Sequence, residues 1–180
     1  MFIRISALIL SLSVLQGCAS AAKIENMVPS DVERADPNSA LAGQLYVASA
    51  SGGDETNPMW TSEISAEDFR KALEQALSNS GLLSEMRSSG EYEVRVFLDE
   101  VDQPVIGIDM TVTTKVTYEV IRQDTRERVF DEQVTASHTA TFGEQFYAVE
   151  RLRLANEGSA EKNIKMFIER LLALEIPDDN

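Results

Sequence analysis

One thiol in 180 residues invites the first question of chemistry. Cys18 is the only cysteine of the chain, so no intrachain disulfide is available to it and a disulfide-stapled fold is excluded. The one imidazole, His138, falls on the same alternating face as Val134, Ala136, Ala140 and Phe142, a setting that predicts a structural histidine. A serine nucleophile needs a base and a group that orients it, and no serine is marked out by such company. Zinc needs a cluster of cysteine and histidine; calcium needs spaced carboxylates of the Asp-x-Asp-x-Asp-Gly kind. Asp54-Glu55 and Asp99-Glu100-Val101-Asp102 have neither pattern and read as solvated loop charges. Gly52-Gly53 is too short for a phosphate loop. The expectation is therefore a protein with no catalytic set, no metal and no cofactor.

The neighbourhood of Cys18 suggests a different use for its sulfur. Ahead of it stand Arg4, an apolar run from Ile5 to Leu15, and then Gln16 and Gly17. A membrane-spanning helix needs roughly 20 apolar residues; this run is shorter and fits the apolar region of a secretory signal. Leu15-Gln16-Gly17-Cys18 resembles the lipobox of bacterial lipoproteins. That resemblance implies cleavage between Gly17 and Cys18, removal of residues 1–17 and acylation of Cys18 through its sulfur and its new amino group. One acyl chain alone holds a protein only marginally, whereas two or three hold it stably. Ala19 after the cysteine favours the outer membrane, facing the periplasm, with the inner membrane as the alternative.

Charge narrows the partners. The formal net charge is −14, which repels nucleic-acid phosphates and anionic headgroups. Nucleic acid is thus excluded as a partner, and lipid on Cys18 rather than a basic surface is expected to supply attachment. Loss of residues 1–17 leaves enough chain for one domain with a proper core. Hydrophobic residues make up 43%, ordinary for a globular chain.

The elements follow from periodicity. Residues 18–42 lack a clear period and read as the lipidated N-terminus and a tether, flexible or loosely draped. A single α+β domain is expected over 43–176, with an acidic tail at 177–180. Gln44 to Ser49 reads as a first strand and 51–58 as a loop. Ser65 caps a helix with Asp68 three residues on, Phe69, Ala72, Leu73, Ala76 and Leu77 form its apolar stripe, and Gly81 ends it. Tyr92, Val94, Val96 and Leu98 alternate with Glu91, Glu93, Arg95 and Phe97. After a break near Pro104, the same alternation carries Ile106, Ile108, Met110, Val112, Thr114, Val116, Tyr118 and Val120 on one face, with Thr113 on the other. A polar turn at Arg122–Arg128 leads to a strand over Val129–Phe142. The chain closes in a long helix over about Phe146–Leu174, with Val149, Leu152, Ala155, Ile164, Phe167 and Leu171 on its inner face. Gly158 predicts a kink or a close approach to the sheet. Together these predict a mostly antiparallel sheet with one face covered by two helices.

Phe69-x-x-Ala72-Leu73 with Gly81, the paired strands ending in Val116-x-Tyr118-x-Val120, and the closing Arg151-x-Arg153-x-Ala155-x-Glu157-Gly158 with Asn163-Ile164 carry a second resemblance. Their order is similar to that of small Gram-negative envelope lipoproteins. It is similar in layout to the auxiliary lipoproteins of envelope lipid transporters and to the outer-membrane lipoproteins of lipopolysaccharide assembly, and a related layout occurs in the amino-terminal domain of the Tol system's periplasmic translocation protein. The resemblance implies a non-enzymatic accessory component that meets an envelope protein partner. The alternative is a lipid or small-ligand carrier, with a slot lined by Ile106, Met110, Phe142 and Phe167. Trp60 is expected to staple the first helix or to anchor a partner, as aromatic hot spots do. Phe146-Tyr147, at the entry to the last helix, is expected to pack in the core, with the same anchoring of a partner as the alternative. Trp60 and Thr113 are the candidate partner contacts.

Overall fold

The computed structural model describes residues 21–53, 64–86, 88–104 and 106–176. Cys18, Gly17, the signal-like residues 1–17, Trp60 and the tail 177–180 lie outside the described residues. Strand β1 runs Leu45–Gly52, helix α1 Ala66–Asn79, then strands β2 Tyr92–Asp102, β3 Met110–Arg122 and β4 Arg128–Ala140, and helix α2 Ala148–Leu172. The four strands lie side by side in chain order. β2, β3 and β4 form an antiparallel meander, while β1 pairs parallel to β2. A parallel neighbour needs a crossover, and α1 lies within that connection. The architecture is α+β.

Each helix is bounded by local chemistry. The Ser65 hydroxyl accepts the Asp68 backbone N–H at 3.0 Å and donates to the Asp68 carboxylate at 2.9 Å, so the cap is held by one side-chain pair. At the other end Gly81 takes φ +73°. The Leu82 N–H then reaches the Leu77 carbonyl at 2.9 Å and the Gly81 N–H reaches Ser78 at 3.1 Å. These bonds satisfy carbonyls that the helix end would otherwise orphan. The stripe Phe69, Ala72, Leu73, Ala76 and Leu77 is fully buried.

The sheet has one dry face. Tyr92, Val94 and Val96 of β2 and Val112, Val116, Tyr118 and Val120 of β3 are buried on it. α1 packs over β1, and α2 packs over β3 and β4. Phe167 of α2 stacks on Tyr118 with ring centroids 3.9 Å apart and planes 6° apart. A smaller apolar cluster joins Met110, Val112 and Ala140 to Leu152 and Ala155.

Several expectations are corrected. β3 begins at Met110, so Ile106 and Ile108 are not on its dry face; they are 91% and 78% exposed. The alternating pattern continues through them in sequence, but the chain bends at Ile106 and again at Ile108 and Asp109 before pairing resumes at Met110. β4 ends at Ala140, which leaves Phe142 beyond the sheet and 47% exposed. Phe146 and Tyr147 precede α2 instead of packing in the core, each 69% exposed, and Val149 lies on the outer side of the helix. The first residues also differ from a loose tether. Ala22, Met27, Pro29 and Leu41 are buried, so the folded domain includes chain ahead of residue 43. Met27 is fully enclosed among apolar neighbours, because it follows a short 3-10 turn, Ile24–Asn26, that meets both helices.

Candidate interaction surfaces

The middle of α2 shows what its small and polar residues are for. Asn156, Glu157, Gly158, Ser159, Ala160 and Asn163 are all buried within a continuous helix. The Gly158 backbone lies so near β4 that a Cβ there would come within 2.7 Å of His138 Nε2. The close approach, not a kink, explains the glycine. Ser159 donates to the Ala136 carbonyl at 3.1 Å. The Asn163 amide donates to the carbonyls of Val134 at 2.9 Å and Thr114 at 3.2 Å, while its oxygen accepts the Tyr118 hydroxyl at 2.8 Å. Burial lowers the His138 pKa below its ordinary value, and the Lys162 charge adds to this against a small opposing effect of Glu144. His138 is thus a packing residue held neutral.

The solvent face of the sheet is polar and internally bonded. Thr113 lies there as expected, its hydroxyl paired with Ser137 at 2.8 Å, beside a Thr111–Thr139 pair of the same length. Lys115 meets Glu100 at 2.5 Å, and Asp99 accepts from Thr117 and Gln133. Nearer the β3–β4 turn, buried Glu93 accepts from Arg95 and Gln123. Burial pushes its carboxyl pKa up, but the hydrogen bonds from Arg95 and Gln123 and the charges of Arg95 and Arg126 outweigh this, leaving it below the ordinary range. Periodicity alone places Glu93 on the wet face and does not reveal this cluster.

A third surface is apolar. It occupies the end of the sheet where the β2–β3 and β4–α2 connections meet. Arg151, only 3% exposed, ties them together: its guanidinium donates to the Gln145 and Phe146 carbonyls at 2.7 and 3.1 Å and to Gly107 at 3.5 Å. It also lies 5.5 Å from the centre of the Phe142 ring, a cation–π distance. The Phe142 N–H donates to Asp109 at 3.0 Å. Phe142, Phe146 and Tyr147 meet edge-on at 5.2 and 5.8 Å. In the sequence Arg151 is marked only as part of Arg151-x-Arg153 and not as a brace between loops, because an arginine in a helical stretch looks like an exposed charge.

The slot expected of a carrier is not formed by its four residues. Ile106 is exposed, Phe142 is half-exposed at the sheet's end, and Phe167 is fully buried against Tyr118. A hollow of about 320 Å³ lies elsewhere, between Asp36–Leu41 and the end of α2.

Comparison by sequence finds no matching family model and no matching curated protein. By structure, the chain is similar to protein XCC0632 from Xanthomonas campestris, of family DUF330, with a TM-score of 0.57 and 11% identity over 82% of this chain and 94% of that one. It is also similar to a candidate lipoprotein from Caulobacter crescentus CB15, with a TM-score of 0.52 and 14% identity over 74% and 92% of the two chains. PelC from Paraburkholderia phytofirmans, solved as a dodecamer, gives a TM-score of 0.50 and 17% identity over 76% and 92%. These likenesses establish a shared fold.

Proposed function

We propose that this chain is an envelope lipoprotein, held on the periplasmic side of the outer membrane by lipid on Cys18. Its domain acts as a non-enzymatic interaction component of an envelope transport or assembly system. The observation that carries the reading is the placement of Leu15-Gln16-Gly17-Cys18: it follows a short apolar run and stands four residues before Ala22, which is already packed in the domain. A sole thiol just after a short signal-like apolar run has the sequence setting of an attachment point. The fold shared with the Caulobacter candidate lipoprotein supports the same view. The interaction role is supported by the polar solvent face of the sheet, on which Thr113 lies.

Metabolic labelling with a fatty acid, followed by membrane fractionation, tests the anchor. Wild-type chain takes up label and sediments with membranes. Cys18→Ala takes up none and stays as uncut precursor or is released. Equal labelling of the two would overturn the assignment.

A further inference from the structure

The geometry points to the aromatic end of the sheet as a membrane-contacting surface that seats the domain on the headgroup region of the bilayer to which Cys18 is anchored. This rests on the lipoprotein reading above and adds an orientation to it. Among the described residues, eight large hydrophobic side chains are exposed, and six of them (Ile106, Ile108, Phe142, Phe146, Tyr147 and Val149) fall in two short stretches. Scattered apolar residues are ordinary on a surface, but a concentration of this kind marks an interaction site. The two stretches are also fixed in place. Buried Arg151 bonds to carbonyls of both, and Asp109 of one accepts from Phe142 of the other. Rings are therefore presented outward on a braced support.

The course of the chain identifies the occupant. The Lys23 N–H and the Asn26 side chain both bond to the Glu157 carboxylate, at 2.9 and 2.8 Å. Eight residues after Lys23, Asp31 meets Lys165 at 2.5 Å. The segment thus runs along α2 from the level of residue 157 to that of 165. Followed backwards, it points toward the helix start at Ala148, which is where the aromatic surface lies. Glu157 is nine residues into α2, about 14 Å from its first turn at 1.5 Å per residue. Cys18 precedes Lys23 by five residues, a reach of up to about 17 Å. A lipid on Cys18 can therefore enter the bilayer at the level of Phe146 and Tyr147.

The chemistry fits a lipid interface. Phe and Tyr are suited to the boundary between apolar and wet regions. The charge of −14 opposes docking on an anionic surface, so zwitterionic headgroups are the expected contact. The carboxylates near the rings are also engaged: Asp109 accepts from Phe142, Glu144 accepts from the Thr141 backbone and hydroxyl, and Glu150 pairs with Arg153.

Acylation of Cys18 leaves the full-length mature protein without a free thiol, so one introduced cysteine can be labelled alone. Phe146→Cys, Ile108→Cys and, as a control on the polar sheet face, Thr113→Cys would each carry an environment-sensitive fluorophore. Each labelled lipoprotein would be reconstituted into phosphatidylcholine vesicles containing spin-labelled lipid. The expected result is severalfold stronger quenching at positions 146 and 108 than at 113. Adding Tyr147→Ser and Ile106→Ser, both at exposed positions, should reduce quenching at 146 toward the control while vesicle flotation is unchanged. Equal quenching at 146 and 113 in protein that floats with the vesicles would overturn the surface but leave the anchor standing. Failure of the wild-type protein to take up fatty acid and float would overturn the anchor, and the surface with it. Shielding from water at 146 without lipid quenching, growing with protein density, would assign the surface to a second copy of the chain and overturn the bilayer assignment.

Discussion

His138 and Gly158 are a coupled pair, and each explains the other's residue type. Alanine in a helix interior is favoured over glycine by about 1 kcal/mol, so Gly158→Ala should stabilise α2 if nothing faced it. A methyl group at 158 would instead overlap the imidazole, and overpacking costs about 1–3 kcal/mol. Gly158→Ala is expected to destabilise the wild-type protein but to stabilise His138→Ala, a reversal of sign that urea denaturation of the four variants would reveal. The imidazole also has a pH signature. Its folded pKa lies below the ordinary value of 6.5, so the unfolded chain binds the proton more readily. The resulting stability is present above pH 6.5 and is lost as pH falls through the folded pKa. As this is the sole histidine, one NMR titration suffices, and a midpoint at or above 6.5 would contradict the assignment. His138→Gln should flatten that part of the pH dependence of Tm. The signal for this pair was present in the sequence as a lone histidine and a lone helical glycine. Their contact was not, because nothing local relates two positions on separate elements.

At the scale of elements, α2 is held both by an apolar stripe that includes Ile164, Phe167, Ile168 and Leu171 and by side-chain bonds from Ser159 and Asn163 into β3 and β4. Its residues 156–160 look like an interruption when only hydrophobic spacing is read. They are buried because small side chains let the helix come close, and polar ones then find backbone carbonyls. Asn163 is the centre of this contact. Asn163→Leu would leave the Tyr118 hydroxyl and the Val134 and Thr114 carbonyls without that partner, and each unsatisfied buried group costs about 1–3 kcal/mol. A loss of about 3 kcal/mol is expected, and adding Tyr118→Phe should recover part of it. Additive losses measured by chemical denaturation would contradict the coupling. The reading of β3 failed at its start for a related reason. Ile106 and Ile108 keep the alternation, yet pairing with β4 begins at Met110. Alternation reports which residues could share a face, whereas strand ends are set by where a partner strand is available.

For the molecule as a whole, the decisive contact is between the first described residues and α2. Glu157, 2% exposed, receives the Lys23 backbone and the Asn26 amide, and Met27 then enters the core. Met27→Ala should cost about 2–5 kcal/mol, as deletion of a buried large side chain does. Glu157→Gln keeps the shape but weakens both bonds, because charge-assisted hydrogen bonds are the stronger kind. It should raise proteolytic cleavage near residues 23–26 while leaving cleavage in the sheet unchanged. Identical digestion patterns would mean that the segment is held by Met27 alone. This docking makes the anchoring segment directional, and so lets the place of attachment bear on which end of the domain meets the membrane.

Local chemistry was enough to foresee α1 with both of its caps, the alternation that makes one sheet face dry, the long closing helix and the α+β class. It also singled out Cys18 with its preceding residues, because motifs, caps and periodicities are properties of neighbours along the chain. Tertiary structure alone decided the parallel pairing of β1, the burial of Ala22, Met27, Pro29 and Leu41, the contact of Gly158 with His138 and the meeting of two loops on Arg151. Each of these joins residues far apart in sequence, and their energies come from close packing and hydrogen bonds that exist only once α2 lies across β3 and β4. The exposed rings at 142–147 belong to the same group. An aromatic residue has the same appearance in a sequence whether it fills a core or faces outward, and only the end of β4 at Ala140 separates the two.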